Sequence, residues 1–167
     1  MATHEGVIVV GVDDSRAARA ALEFALDEGR AHGCAVEVVT AWLWSSPYRG
    51  MDHVSSIEEG QHVASAVQDD VVRRVLVGRV QPPAVSQVVV HQDAGPALVE
   101  RAEAARMLVV GSAHKGAVRR AVLGSVSEYC LSRASVPVVV VADAERLRNR
   151  SSGAIRAAAD AGPRTWC

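Results

Sequence analysis

The chain has 167 residues and a mass of 17.6 kDa, is 49% hydrophobic but only 4% aromatic, and sets 18 Lys and Arg against 19 Asp and Glu, for a formal charge of −1 and a pI near 6.6. That length supports one good core, which must be built from Val, Ala and Leu, as suits buried parallel strands flanked by Ala-rich helices. The near-neutral charge excludes a nucleic-acid module driven by overall electrostatics, and no apolar run approaches the roughly 20 residues of a membrane span.

Gly6 to Val12 (GVIVVGV) is a short, continuously apolar, β-branched run, the pattern of a strand buried on both faces. Asp13, Asp14 and Ser15 supply a helix N-cap. After it Ala17, Ala18, Ala21, Leu22, Ala25 and Leu26 recur at helical spacing until Gly33 stops the helix. Cys34 to Trp42 is the second predicted strand, and the segment through Ser56, with Pro47, Gly50 and several serines, reads as a loop. A helical pattern runs from Ile57 to about Val80, where Gln81, Pro82 and Pro83 end it. Val85 to His91 is a third strand. Gly95 and Pro96 then open a shorter helix containing Ala97, Leu98, Ala102, Ala104 and Ala105. Met107 to Val110 is the fourth strand, Ser125 to Ser135 the fourth helix, and Val136 to Val141 the fifth strand. Strict alternation of strand and helix makes a parallel sheet covered on both faces the economical α/β fold. Residues 1–142 form one domain on this reading, and 143–167, rich in Arg, Ala, Ser and Gly, a polar and disordered tail.

Between the fourth strand and the fourth helix, Gly111 to Gly124 is a glycine-punctuated basic loop carrying Lys115, Arg119 and Arg120, with a helix N-terminus at its end. These are the features of an anion cradle: glycines let backbone N–H groups approach, and the helix end favours negative charge. Gly111 and Gly116 imitate the first half of a P-loop, but Ala117 and Val118 stand where its Lys and Ser/Thr belong, and the first strand does not lead into GxGxxG. Each piece also has a plainer reading. Ser125 to Glu128 makes a capping box with Ser125 as N-cap, Asp13 can serve only the first helix, and the three cations can be a solvated loop face. Cys34, Cys130 and Cys167 show no CxxC or Cys/His pattern and the six histidines no metal spacing, so neither a disulfide framework nor a metal site is expected.

Gly111, two residues, His114 in a position for glycine, nine residues, then Gly124-Ser125 followed by Val126 and Ser127 resembles the nucleotide-binding signature of the universal stress protein family. The resemblance extends to VIVVGVDDS at the start and LSRASVPVVVV at the end, and covers roughly residues 6 to 141. It implies a three-layer, doubly wound five-stranded parallel sheet of order 3-2-1-4-5, homodimers joined through the fifth strand (Val136 to Val141) and, in a subset of members, bound ATP, with or without Mg2+. Carried over by motif, Asp13 contacts ribose or adenine with Gly11 and Val12 lining the pocket, and Ala41 lies beside the adenine. Val110 and Gly111 pack on the nucleoside. Gly116 belongs to the loop, and Gly124, Ser125, Val126 and Ser127 offer N–H groups and hydroxyls to phosphates. His114 is the departure, since ATP-binding members carry glycine there. In left-handed backbone its Cβ costs about 1 kcal/mol, and its ring either crowds phosphate space, turns outward or donates to an oxygen.

The function expected from sequence is a cytoplasmic, nucleotide-responsive stress factor that binds ATP or a related adenine nucleotide, with no membrane or nucleic-acid partner. No nucleophile-and-base motif marks it as an enzyme, slow ATP hydrolysis aside. The alternative is a nucleotide-free dimeric interaction module whose phosphate site His114 has closed.

Overall fold

The computed structural model describes residues 6–43, 57–112 and 123–142. Nine elements alternate along them: β1 (Val7–Gly11), α1 (Arg16–His32), β2 (Ala35–Trp42), α2 (Ile57–Leu76), β3 (Val85–His91), α3 (Ala94–Arg101), β4 (Met107–Gly111), α4 (Ser125–Arg133) and β5 (Val138–Val141). The strands form one sheet of order β3-β2-β1-β4-β5, and every pairing is parallel. This is the order implied by the family resemblance.

Alternation along the strands sorts the core into two layers. Ile8, Val10, Val36, Val38 and Val109 face α1 and α2, packing on Leu22, Leu26, Val71 and Val72. Val9, Val39, Leu108 and Val110 face the other way, onto Leu98 of α3 and Cys130 of α4. Helices thus cover both faces, which is why the strands read as continuous apolar runs.

Local chemistry places α1 as its sequence predicts. The Ser15 hydroxyl accepts from Ala18 N–H at 3.0 Å, and Gly33 ends the helix in the left-handed region at φ 66°. Other boundaries differ. α2 stops at Leu76 rather than Val80, because the chain enters left-handed backbone at Gly78 (φ 78°) and again at Gln81 (φ 52°), leaving Val77 and Val80 exposed. α3 ends at Arg101, so Ala104 and Ala105 lie in the turn that follows it. β5 begins at Val138, although the Pro137 carbonyl already accepts from Leu108 N–H at 2.9 Å.

Two polar contacts tie helices to the sheet. Gln68 of α2, 2% exposed, donates its side-chain amide to the Val38 and Val88 carbonyls of β2 and β3, each at 3.0 Å. Arg101 at the end of α3 grips Glu37 of β2 with two bonds of 2.8 and 2.6 Å, and this pairing raises the Arg101 pKa further above its ordinary value. Cys34 and Cys130 are buried and in no disulfide, and burial pushes the Cys130 thiol up to about 11, which makes it a packing residue rather than a nucleophile.

Candidate functional site

In a doubly wound sheet, ligands bind beyond the carboxyl ends of the strands, where the strand order reverses. Here the reversal falls between β1 and β4: the chain passes from β1 to β2 on one side, and β4 and β5 lie on the other. Gly11, Val12 and Asp13 leave the end of β1, while Val110, Gly111 and Ser112 leave the end of β4 beside them.

Each candidate residue takes a definite role in this edge. Val12 is buried in the α1/α2 layer, so only its backbone borders the split. Its N–H donates to the Val39 carbonyl at 2.9 Å, and its own carbonyl accepts the Thr40 hydroxyl at 2.9 Å. Asp13 is exposed, and its Oδ1 accepts from Ser15 N–H at 2.9 Å, an Asx turn that steers the chain into α1. The second carboxylate oxygen remains available to a ligand donor. Ala41 sits half-buried near the end of β2, opposite Val90. The next residue, Trp42, turns away to stack on His91 with ring centroids 4.4 Å apart.

On the other side of the split, Val110 is 2% exposed within the α3/α4 layer, and it too offers backbone rather than side chain. Gly111 is glycine for a steric reason: an added Cβ would lie 2.6 Å from the Ala17 carbonyl carbon and 2.8 Å from Ala18 N, inside the backbone of α1's first turn. The absence of a side chain lets β4 end directly against α1, next to Asp13.

The N-terminus of α4 differs from the capping box expected there. Gly124, extended at φ −65° and ψ 153°, is the N-cap, with no side-chain cap bond, and Ser125 is the first helical residue. Ser125 is therefore exposed and its hydroxyl does not close the first turn. Val126 packs into the α3/α4 layer. Ser127, 1% exposed, donates its hydroxyl to the Gly111 carbonyl at 3.0 Å and so ties α4 to the end of β4. Its proton is committed to the protein, and the donors facing outward at this helix end are backbone N–H groups and Ser125. A helix N-terminus without a side-chain cap suits an anion, because the partial positive charge of its free N–H groups is not already satisfied.

Of the sequence-derived site, Gly11, Val12, Asp13, Ala41, Val110, Gly111, Gly124, Ser125, Val126 and Ser127 lie at this edge of the sheet. His114 and Gly116 fall outside the described residues, as do Lys115, Arg119, Arg120 and the C-terminal tail. Thr40 was not singled out from sequence; its signal was a hydroxyl in an otherwise apolar strand end. Among the described residues there is no cluster of His, Cys, Asp or Glu able to hold a metal ion, and no helix long and apolar enough to cross a membrane.

A separate groove of about 440 Å3 lies between α1 and α2, with Val63 and Val67 in its lining and Asp14, Arg19, His62, Asp70 and Arg74 around them. Its charges are largely spent within the protein. Arg74 and Arg73 both bond Asp70 and hold that carboxyl below its ordinary range, and Arg19 donates from Nη2 to the Asp14 carbonyl at 3.1 Å, while its buried Nε has no hydrogen-bond partner among the described residues.

Residues 6–142 match the model of the Universal stress protein family. Universal stress protein Rv2005c of Mycobacterium tuberculosis H37Rv is 33% identical over 139 residues, covering 80% of this chain and 44% of that relative. The chain thus spans about half the length of the curated relatives it matches. Among solved structures, a universal stress protein in complex with cAMP superimposes with a TM-score of 0.63 at 22% identity, over 84% of this chain and 99% of the other. The Archaeoglobus fulgidus universal stress protein in complex with dAMP gives 0.53 at 23% identity, over 84% and 99%. At these identities the likeness establishes the shared fold.

Proposed function

Because the chain belongs to the universal stress protein family, we propose that it binds an adenine nucleotide in the split between β1 and β4 and acts by what occupancy does to its conformation or partners. The observation that carries this is the convergence, at one edge of the sheet, of the exposed Asp13 carboxylate with an α4 N-terminus that has no side-chain cap, the two joined through Gly111. An acceptor for ribose hydroxyls and a cluster of N–H donors for phosphate are the two things a nucleotide needs. That solved members of this fold carry cAMP and dAMP supports the same class of ligand here.

ATP is the occupant we favour, with Ser125 and the first N–H groups of α4 serving its phosphates, and the protein works in the cytoplasm as a stress-responsive regulator rather than as an enzyme. Binding free energy alone stabilises the occupied state by linkage, so no chemical step is required. Calorimetry of AMP and ATP on nucleotide-stripped protein tests this. Saturable binding is expected, and Asp13→Asn, whose amide oxygen still accepts from Ser15 N–H, should weaken it about tenfold by removing the charge that strengthens a ribose bond. The absence of both heat and thermal shift at millimolar nucleotide would sink the reading in favour of a nucleotide-free interaction module.

Two chains associate, on the same proposal, through β5. Its four valines are each only half-buried and form a sheet edge, which a protein must cover or blunt. Val139→Lys should shift sedimentation toward monomer; an unchanged dimer places the interface elsewhere.

A further inference from the structure

The groove between α1 and α2 has an apolar floor and a direction. Both helices follow strands of a parallel sheet and run back from its carboxyl edge toward its amino edge. Asp14 and His62 therefore lie at the carboxyl-edge end of the groove and Arg74 at the other, about 18 Å further along α2. Val63, Ala66, Val67 and Val71 run between them at helical spacing, and Val63 is 37% exposed. α2 thus carries an open apolar stripe beside the buried one formed by Ala64, Val72 and Val75.

The two ends of the groove differ in charge. Arg74 and its neighbour Arg73 share the single carboxylate of Asp70, which leaves that end a positive surplus. At the carboxyl-edge end Arg19 is turned onto the Asp14 carbonyl. The exposed Asp14 carboxylate has no partner among the described residues, and the exposed Asp13 carboxylate stands next to it. A segment that fits is therefore basic where it enters beside Asp14, apolar and small along the floor, and acidic where it reaches Arg74.

Residues 143–167 of the chain have this polarity. They lead off from β5, whose Val141 stands opposite Gly111, and Gly111 lies against the backbone of Ala17 and Ala18 in α1. One strand spacing of about 4.8 Å and one helix width of about 10 Å separate the end of β5 from the groove, a span that about five extended residues cross. Arg146, Arg148 and Arg150 then arrive at the acidic end. Ala154, Ile155, Ala158 and Ala159 follow at helical spacing. Asp160 comes ten residues after Arg150, about 15 Å on where that stretch coils into helix, close to the length of the groove.

We propose that residues 143–167 dock in the α1/α2 groove of their own chain, with Ile155 and the alanines beside it on Val63 and Val67, the Arg146 to Arg150 run toward Asp14, and Asp160 toward Arg73 and Arg74. This is helix-in-groove recognition, in which apolar anchors three and four residues apart meet an apolar floor and the rim charges set the direction. The segment's own groove is favoured over that of a second copy because a short tether holds it at an effective concentration on the order of millimolar. The contact covers the open stripe of α2 and withholds it from other partners. It does not depend on the nucleotide reading.

The test is paramagnetic broadening in methyl NMR spectra of the full chain, with a nitroxide on Cys167, Cys34 and Cys130 being buried. The Val63 and Val67 methyls should broaden, whereas those of Val9 and Val90, in the core layer on the opposite face of the sheet, should not. Ile155→Asp should abolish the effect by placing a charge on the apolar floor, and Val67→Asp should abolish it at Val63 from the groove side. Ile155 lies outside the described fold, so Ile155→Asp decides the matter even where Val67→Asp fails to fold. No broadening in wild type, or broadening that survives Ile155→Asp, overturns the proposal. In a mixture of spin-labelled and isotope-labelled chains, no broadening should pass from one to the other. Transfer between chains that is lost on dilution overturns docking within one chain and gives the groove to a second copy's segment.

Discussion

Gly111→Ala is expected to lower the thermal midpoint and to abolish nucleotide binding together. The new methyl carbon would stand 2.6–2.8 Å from the Ala17 carbonyl and Ala18 N–H, and these are backbone atoms of the first turn of α1, not the end of a flexible side chain that could swing aside. Either β4 or α1 must shift. Overpacking of this kind costs about 1–3 kcal/mol, and the displaced elements carry Asp13 on one side and the carbonyl held by Ser127 on the other. Thermal denaturation and AMP calorimetry on the same preparation check it, and full binding by a destabilised variant would show that Gly111 matters to packing alone. Gly11 makes a useful control. The three atoms nearest a Cβ there all belong to the Leu98 side chain, the first at 2.7 Å, and a leucine can rotate, so Gly11→Ala should be milder on both readouts.

Gln68→Leu should cost stability without touching the site. The Gln68 amide joins carbonyls of two strands from inside the α2 layer, and leucine fills similar volume while leaving both acceptors without that donor. Both carbonyls also accept ladder N–H groups in the β2–β3 pairing, so the loss is that of the amide's own bonds, about 0.5–1.5 kcal/mol each, and the urea midpoint should fall with little change in its slope. Nucleotide affinity should stay near wild type, because Gln68 meets β2 and β3 well inside the sheet and away from the β1–β4 split. An unchanged midpoint would mean that the amide is redundant beside the ladder bonds.

Much of the fold was legible because it is written in short-range chemistry. The Val-rich runs, the Ser15 cap and the left-handed Gly33 depend on neighbours a few residues apart, and β3 occupies the seven residues, Val85 to His91, expected of the third strand. Helix ends were less legible. The pattern past Leu76 stays apolar through Val77 and Val80, yet Gly78 turns the backbone away and Arg79 is drawn back to Asp27 of α1, a partner 52 residues distant. Ser125 carries every local mark of an N-cap, but tertiary packing buries Ser127 against Gly111 and moves the cap one residue back, to Gly124.

By itself, then, the sequence determined which segments are strands and helices, that the sheet is parallel, and through the glycine-and-serine pattern after β4 which family the chain resembles. Only the tertiary structure decided how the edge of the sheet is finished. The bonds from the Thr40 hydroxyl to the Val12 carbonyl and from the Ser127 hydroxyl to the Gly111 carbonyl join residues 28 and 16 positions apart. Nothing in the local propensity of Thr40 or Ser127 distinguishes a hydroxyl facing solvent from one placed on a carbonyl of another strand, because the acceptor exists only once the strands have been brought side by side.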